Sequence, residues 1–260
     1  MGRREHFATF KSFVLTTPTG PSLRLASVAK QLKSTGLRAE IVRGFDGTSD
    51  ALQATYSPWR NLLLSKRSLT RGEVATYLGH RKIWQLIVDR GLDFALVLED
   101  DFRFLDPVSA SSSLQVAAAQ CGEWDLVKLF DFKPRKNFVC FKRNGMDFAV
   151  YQRPSAGMVG YFITRNACIR LLRRKHIFIP VDEELRNWFA HGLSILSVVP
   201  NLVNDGACQL GGSLLEQGRI DIKARRNIVR SLWGNFLALY TSARSAIWYR
   251  KTLKRFRLRD

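Results

Sequence analysis

The sequence predicts an α/β fold, with a mixed sheet flanked by helices, followed by a basic helical extension at the C-terminus. The chain opens with a strand–helix–strand pattern, and a later capped helix leads into a buried apolar strand. Such an alternation with turn-rich connections is typical of a parallel α/β sheet. Near residue 219 basic residues begin to outnumber acidic ones. We therefore predict one domain over residues 1–218, long enough to bury a proper core, and an extension over residues 219–260.

The opening unit begins with a strand over residues 10–15, which ends at the turn-rich segment that starts with Thr16. The next apolar residues recur at helical spacing until Gly36 ends the helix; they are Leu25, Val28, Ala29 and Leu32. A second strand follows, and Asp46 comes directly after it. Residues 48–68 show no such periodicity, and we expect a mobile loop there.

The helix that starts after Thr70 is the most clearly delimited element. Thr70 and Glu73 form a capping box, in which each side chain satisfies a backbone N–H group at the start of the helix. Gly91 supplies the C-terminal stop. Between these limits the apolar residues recur at helical spacing: Val74, Tyr77, Leu78, Trp84, Ile87 and Val88.

Three consecutive carboxylates, Glu99, Asp100 and Asp101, follow the apolar run of residues 94–98, which predicts a buried strand. Adjacent negative charges repel one another and are stable mainly when a cation lies among them. Their oxygens suit a hard divalent ion, Mg²⁺ or Mn²⁺, that in turn holds phosphate oxygens. Ligands of α/β sheets bind outside the carboxyl ends of the strands, which is where these residues lie. The alternative is a solvated acidic loop.

Further elements are predicted downstream. The apolar run of residues 124–130 predicts a strand, and Asn144 and Gly145 predict the turn of a hairpin. Residues 158–164 predict another strand, which leads into a helix over residues 167–172.

These motifs resemble those of glycosyltransferase family 25, the bacterial lipooligosaccharide and lipopolysaccharide core glycosyltransferases. The specific part of the likeness lies within residues 69–101, and looser similarity extends over residues 12–216. The specific motifs are Leu69-Thr70-Arg71-Gly72-Glu73, Leu78-Gly79-His80 with Trp84, and Leu96-Val97-Leu98-Glu99-Asp100-Asp101. The looser ones are Arg24, Phe45-Asp46-Gly47, Tyr161-Phe162-Ile163-Thr164-Arg165 with Leu171-Leu172, and Pro180-Val181-Asp182-Glu183. The family usually has Gly-Cys and Ser-His pairs where this chain has Ala75-Thr76 and Gly79-His80.

The resemblance implies a GT-A-like, Rossmann-type fold and a metal-dependent transfer of a sugar from a nucleotide donor. In such enzymes the last acid of the acidic motif typically ligates the metal ion, so the resemblance assigns Asp101 and Asp100 as metal ligands. Asp100 and Glu99 are expected as ligand or ribose contacts. Further expected donor contacts are Thr16, Arg24, Asp46 and His80. For Asp46 an ordinary Asp-Gly turn is the alternative, and for His80 it is a packing role within the helix.

An inverting transfer also needs a general base within hydrogen-bond reach of the acceptor hydroxyl. Asp182 and Glu183 are the leading candidates, because they follow an apolar segment and begin a predicted helix. Asp182 also has a purely structural interpretation as the residue that caps this helix. A base elsewhere in the chain, or a retaining mechanism, stays open.

The composition is compatible with anionic partners, because the formal net charge of +19 exceeds what solubility requires. The cysteines form no C-x-x-C pair, and we expect them to be reduced packing residues in a cytosolic protein. The basic start of the chain lacks the apolar core of a signal peptide. Because no apolar run approaches about 18 residues, we expect a soluble or peripheral protein.

The extension is predicted to form a basic amphipathic helix, since its apolar residues recur at helical spacing. They include Val229, Leu232, Trp233, Phe236, Leu237 and Tyr240. Such a helix with tryptophans suits an anionic membrane surface, which would place the protein on the inner face of the bacterial inner membrane. A helix packed on the domain is one alternative. Nucleic-acid binding is another, but the sequence contains no recognisable nucleic-acid motif and we expect no such partner.

The sequence therefore predicts a metal-dependent hexosyltransferase. It would move galactose or glucose from a UDP-sugar to the lipid-linked oligosaccharide of lipopolysaccharide or lipooligosaccharide. A metal-dependent phosphoesterase would use the same carboxylates, but it normally needs further acidic or histidine ligands for a second metal ion. A non-enzymatic basic module that binds membranes or nucleic acid would leave the three carboxylates unexplained.

Overall fold

A computed structural model describes residues 9–18, 22–133, 137–210 and 228–258. The strands are β1 (Lys11–Thr16), β2 (Glu40–Arg43), β3 (Phe94–Glu99), β4 (Phe102–Phe104), β5 (Leu126–Lys128), β6 (Phe138–Arg143), β7 (Met146–Tyr151), β8 (Gly160–Thr164), β9 (Ile195–Val199) and β10 (Val203–Asp205). The α-helices are α1 (Ser22–Thr35), α2 (Asp50–Thr55), α3 (Pro58–Leu64), α4 (Arg71–Asp89), α5 (Ala110–Ala118), α6 (Arg165–Leu172), α7 (Val181–Arg186) and α8 (Ile228–Phe256).

Eight strands form one mixed sheet in the order β2-β1-β3-β8-β5-β9-β7-β6. β1 pairs in parallel with both β2 and β3, so three carboxyl ends lie at the same edge of the sheet. β8 runs antiparallel between β3 and β5, and β6 and β7 form a hairpin at the far edge. β4 and β10 pair in a separate antiparallel ribbon. The predicted α/β class with a mixed sheet flanked by helices is confirmed.

The core forms where α4 packs on the middle of the sheet. Residues 95–98 of β3 are fully buried, and so are the α4 side chains of Tyr77, Ile83, Trp84 and Ile87. Gly79 allows the helix to approach β1 closely, because a Cβ atom there would lie 2.8 Å from Leu15 Cδ1. The helix that precedes the acidic motif is thus fixed directly against the strands that carry the site.

The predicted capping box, helix stop and hairpin turn are all confirmed by the structure. Glu73 N donates to Thr70 Oγ1 and Thr70 N donates to a Glu73 carboxylate oxygen, both at 3.0 Å, which completes the capping box. Gly91 ends α4 with φ +63°. Asn144 and Gly145 both have positive φ in the β6–β7 turn, as a two-residue hairpin turn requires.

The prediction of a mobile loop over residues 48–68 is wrong, since this segment contains α2 and α3. The helices are too short to show periodicity, and contacts with residues far along the chain hold them in place. Leu52 is buried, and Asn61 Nδ2 donates to the backbone oxygens of Arg67 and Phe178 at 3.1 and 2.8 Å.

The C-terminal helix α8 packs against the domain, which is the alternative that the sequence left open. Trp188 Nε1 donates to Ser245 Oγ, and Trp248 Nε1 donates to Leu193 O, both at 2.8 Å. The Phe256 ring stacks on the Trp124 ring with centroids 4.0 Å apart. The predicted boundary at residue 219 lies outside the described residues. Among the helices of the described ranges, none is both long and apolar enough to cross a membrane.

We expect the domain to depend on α8 for part of its stability. Leu253 is 5% exposed, so Leu253→Ala should lower the free energy of unfolding by about 2–4 kcal/mol through lost burial and a residual cavity. Ile247, on the same helix, is 66% exposed, so Ile247→Ala should change the free energy of unfolding by no more than about 0.5 kcal/mol. Urea unfolding of both variants measures the difference, and equal effects would contradict the packing of α8.

Candidate active site

A cleft of about 420 Å³ lies at the carboxyl ends of β1, β2 and β3. Parallel strands bring these ends together, and ligands of α/β sheets bind in such crevices. The volume falls within the range of pockets that hold small ligands. The lining residues are Leu15, Thr16, Thr17, Arg24, Gly44, Phe45, Asp46, Gly47, Gly72, Ala75, Thr76, Glu99, Asp100 and Asp101. The structure thus brings together all but one of the residues that the sequence assigned to the donor and the metal, the exception being His80.

Asp100 is held by protein groups on both carboxylate oxygens. Oδ1 accepts a hydrogen bond from Arg24 Nη1 at 2.5 Å, and Oδ2 accepts from the Thr16 hydroxyl at 3.0 Å and from Thr17 N at 3.3 Å. Arg24 is 4% exposed. Burial by itself would lower the pKa of Arg24, but Asp100 and Asp101 raise it overall, so the guanidinium keeps its charge. Asp100 therefore anchors the start of α1 and the end of β1 to the acidic motif.

Asp101 is compensated only in part. Its Oδ2 accepts from Arg24 Nη1 at 3.2 Å, whereas its Oδ1 is buried and accepts no hydrogen bond from the residues that the structure describes. Burial, followed by the negative charges of Glu99 and Asp205, raises the pKa of Asp101 to about 7. A cation beside Oδ1 would remove this electrostatic penalty.

Asp205 is a site residue that the sequence analysis missed. It ends β10, and the neighbouring Gly206 N donates to Asp101 O at 2.8 Å. A Cβ atom at position 206 would lie 2.9 Å from the same oxygen, so glycine is needed for the two segments to come this close. The available signal was an Asp-Gly pair, which by itself indicates only a turn.

His80 does not line the cleft but supports Glu99 from behind. His80 Nε2 lies 3.0 Å from Glu99 Oε1, and His80 Nδ1 lies 2.9 Å from the Tyr161 hydroxyl, which also accepts from Trp84 Nε1 at 3.1 Å. Because a carboxylate only accepts hydrogen bonds, Nε2–H donates to Glu99, and in the neutral imidazole Nδ1 then accepts from the Tyr161 hydroxyl. This buried chain fixes the orientation of Glu99. The sequence analysis named Tyr161 only within a looser family motif and assigned it no role.

Asp46 lies in the cleft and also stabilises its own turn. Its Oδ1 accepts from Thr48 N at 2.9 Å and from the Thr48 hydroxyl at 2.6 Å, and the hydroxyl is the main cause that lowers the pKa of Asp46. The two interpretations of Asp46 are therefore compatible. Phe45 adds an aromatic ring to the same wall.

The base candidates Asp182 and Glu183 lie on α7 and are not among the cleft-lining residues. Burial, followed by the charge of Asp182, raises the pKa of Glu183, and the positive charge of Arg67 opposes this. The structural alternative placed Asp182 at the N-cap, which is wrong because Pro180 occupies that position. Asp182 lies in the first turn, where its Oδ1 accepts from Glu183 N at 3.0 Å. Their role as a base stays a prediction.

The carboxylates fit a divalent ion that is shared with a ligand. Within the described ranges, no group of three or more His, Cys, Asp or Glu side chains is arranged to hold a metal ion. Mg²⁺, however, is usually bound through one or two carboxylates, several waters and substrate phosphates. Asp101 Oδ1 is the orphaned buried oxygen that suits this role, with Glu99 and Asp205 close enough to act on its charge.

Comparison with known proteins identifies the family of the chain. Residues 21–185 match the family model described as glycosyltransferase family 25 (LPS biosynthesis protein). The chain is 34% identical over 128 residues to procollagen galactosyltransferase 1 of Danio rerio, covering 46% of this chain and 20% of that protein. It is 34% identical over 124 residues to a glycosyltransferase 25 family member of Anopheles gambiae, covering 46% and 21%.

A further relative is named as inactive. The chain is 28% identical over 190 residues to a probable inactive glycosyltransferase 25 family member 3 of Rattus norvegicus, covering 66% of this chain and 32% of that protein. In these comparisons the chain spans between a fifth and a third of the length of the curated relatives it matches.

The raised pKa of Asp101 predicts a pH-dependent stability in metal-free buffer. The folded protein retains this proton up to about pH 7 whereas the unfolded chain releases it near pH 4, so the free energy of unfolding falls as the pH rises between these values. Asp101→Asn cannot ionise, and it should be more stable than the parent by about 1–3 kcal/mol at pH 8.

The advantage of Asp101→Asn should shrink as the pH approaches 4, where the carboxyl is protonated in both states. Urea unfolding of parent and variant at a series of pH values measures it. A variant that is less stable than the parent at pH 8 would contradict the picture of an uncompensated charge.

Proposed function

We propose a sugar-transfer reaction for this chain because it belongs to glycosyltransferase family 25. The donor is a UDP-hexose, and a divalent ion, Mn²⁺ or Mg²⁺, assists the reaction. The observation that supports this proposal most is Asp101, which lines the cleft and has a buried Oδ1 and a raised pKa, because a cation beside it would offset its charge. When bound there, the ion would act as a Lewis acid on the pyrophosphate leaving group.

The residues around the cleft supply the remaining donor contacts. Phe45 and Asp46 both line the cleft, and we assign them to the base or the ribose. We assign Glu99, which His80 orients, to the ribose or to a water on the ion. Arg24 contributes to the donor site by holding Asp100 and Asp101, because pairing with both carboxylates offsets its charge. Asp100, whose oxygens already accept from Arg24, Thr16 and Thr17, fits a role in shaping the site better than direct ligation.

The sugar and the acceptor follow from the family rather than from the cleft. One relative is named a galactosyltransferase, which supports the choice of sugar. The description of the family as an LPS biosynthesis protein supports the choice of acceptor. We propose galactose, with glucose as the alternative, and the lipid-linked oligosaccharide of lipopolysaccharide as acceptor. The reaction would take place at the cytoplasmic face of the inner membrane. A screen of nucleotide sugars for metal-dependent release of UDP tests the donor directly.

Asp101→Asn should reduce turnover by at least about a hundredfold, because it removes a charged ligand while nearly conserving volume. It should also abolish the extra thermal stabilisation that UDP gives when Mn²⁺ is present. Asp147→Asn is the matched control, since Asp147 is half exposed and pairs with Lys142 on the β6–β7 hairpin. Near-normal turnover of Asp101→Asn at saturating metal and donor would end the assignment.

The base candidates can be separated from each other and from donor binding. Asp182→Asn should lower turnover by about 10²–10⁴-fold while the affinity for UDP stays within a factor of about two, because a general base acts on the acceptor hydroxyl. Glu183→Gln is the matched variant one residue along α7. If only Glu183→Gln is impaired, the role moves to that residue. If both variants remain active, neither residue is the base.

A further inference from the structure

The helices α3 and α8 expose a continuous set of large apolar side chains, which we call the α3–α8 surface. Each is between 45% and 71% exposed. Its members are Trp59, Leu62, Leu63 and Leu64 on α3, with Leu232, Trp233, Phe236, Leu239 and Tyr240 on α8. Single exposed apolar residues are ordinary, but a contiguous group marks an interaction site.

Direct contacts join the two helices into one surface. Trp233 Nε1 donates to Leu63 O at 2.6 Å, and Arg230 donates to Asn61 Oδ1 at 2.7 Å and to Ser65 O at 3.2 Å. Gly234 packs against the side chain of Lys66, where a Cβ atom would overlap it. The orientation of α3 relative to this part of α8 is therefore fixed.

The exposed stripe of α8 lies on a different side of the helix from the stripe that packs on the domain. Ser245, Tyr249 and Leu253 face the core and are buried. Leu232, Phe236 and Leu239 belong to the exposed stripe and are all more than half exposed. Packing on the domain therefore accounts for one apolar face of α8 and leaves the second without an occupant among the described residues.

The charge around this surface identifies its partner. Neither α3 nor α8 contains an acidic residue, and basic residues lie at the surface itself: Arg60 on α3, Lys66 against Gly234 of α8, and Arg244, whose Nη1 donates to the Tyr240 hydroxyl. Apolar side chains that include tryptophan, bordered by basic residues, are the features that bind an anionic bilayer surface. A second copy of the chain fits poorly, because each copy carries a net charge of +19 and would oppose the same basic residues.

We propose that the α3–α8 surface docks the protein on an anionic lipid surface, with α3 contributing as much as α8. Backbone hydrogen bonds connect the segment that leads into α3 with the segment that precedes α7. Ser57 N donates to Ile177 O and Ile177 N donates to Thr55 O, at 2.9 and 2.8 Å, and the chain continues from there into α7. A bilayer on this surface lies beside the segment that leads to Asp182 and Glu183. This relation rests on the proposed function, whereas the docking itself does not.

Co-sedimentation of the full chain with vesicles tests the proposal. The vesicles contain phosphatidylcholine alone or phosphatidylcholine with phosphatidylglycerol. The informative variant pairs Trp59→Ser with Leu63→Ser, because it leaves every residue of α8 unchanged. A second variant pairs Phe236→Ser with Leu239→Ser. The matched control pairs Leu105→Ser with Val108→Ser, since these residues are exposed but lie outside the surface.

The parent and the control should bind anionic vesicles, more weakly as salt rises, and bind neutral vesicles poorly. Each surface variant should bind anionic vesicles at least roughly tenfold more weakly than the parent. Circular dichroism should show all chains folded, because the substituted residues are exposed. Stabilisation by UDP with Mn²⁺ should be equal in all of them, so a failed donor site is recognised separately from failed docking.

Three results would overturn the proposal. The α3 variant binding anionic vesicles as well as the parent would confine the anchor to the C-terminal helix. Equal binding of the parent to neutral and anionic vesicles would remove the role of charge. A parent that is dimeric, and that becomes monomeric in both surface variants without binding vesicles, would assign the surface to a second copy.

Discussion

The arrangement of the cleft depends on the ion pair between Arg24 of α1 and Asp100 at the end of β3. Burying two charges costs desolvation energy, which is repaid only when the geometry is good and the remaining oxygens are satisfied. Here the Thr16 hydroxyl and Thr17 N complete the set around Asp100, so the ends of β1 and β3 and the first turn of α1 are fixed together. The same guanidinium also reaches Asp101, but one positive charge cannot neutralise two carboxylates.

The sequence predicted the elements whose causes are local. The capping box of Thr70 and Glu73, the stop at Gly91 and the buried run before Glu99 each depend on residues within a few positions of one another, and all appear in the structure. The resemblance to a family supplied what local rules could not, namely that Arg24 belongs to the same site as Asp100.

Features that depend on distant parts of the chain were not predictable in this way. Asp205 approaches Asp101 only because β10 pairs with β4 and Gly206 lacks a Cβ atom. Tyr161 supports His80 only because β8 lies antiparallel to β3. The folding of residues 48–68 into α2 and α3 depends on Asn61, whose partner is 117 residues away. None of these contacts leaves a periodic pattern in the sequence.

One departure from the family pattern has a packing explanation. Where the family usually has serine before the helical histidine, this chain has Gly79, and a Cβ atom there would approach Leu15 to 2.8 Å. The side chain of Leu15 therefore occupies the space beside α4 that a serine side chain would need. His80 next to this glycine keeps its contact with Glu99.

Family membership by itself does not establish activity, since relatives of the chain include a protein named as probably inactive. The argument for activity is energetic. An ionised Asp101, with a buried oxygen that accepts no hydrogen bond from the described residues, destabilises the folded protein at neutral pH, and a neutral residue of the same size would avoid this cost. Local features that oppose stability are expected where function requires them. Asp101 has that character, whereas Asp100 beside it is fully satisfied by the protein, and this contrast favours a site built to receive a cation.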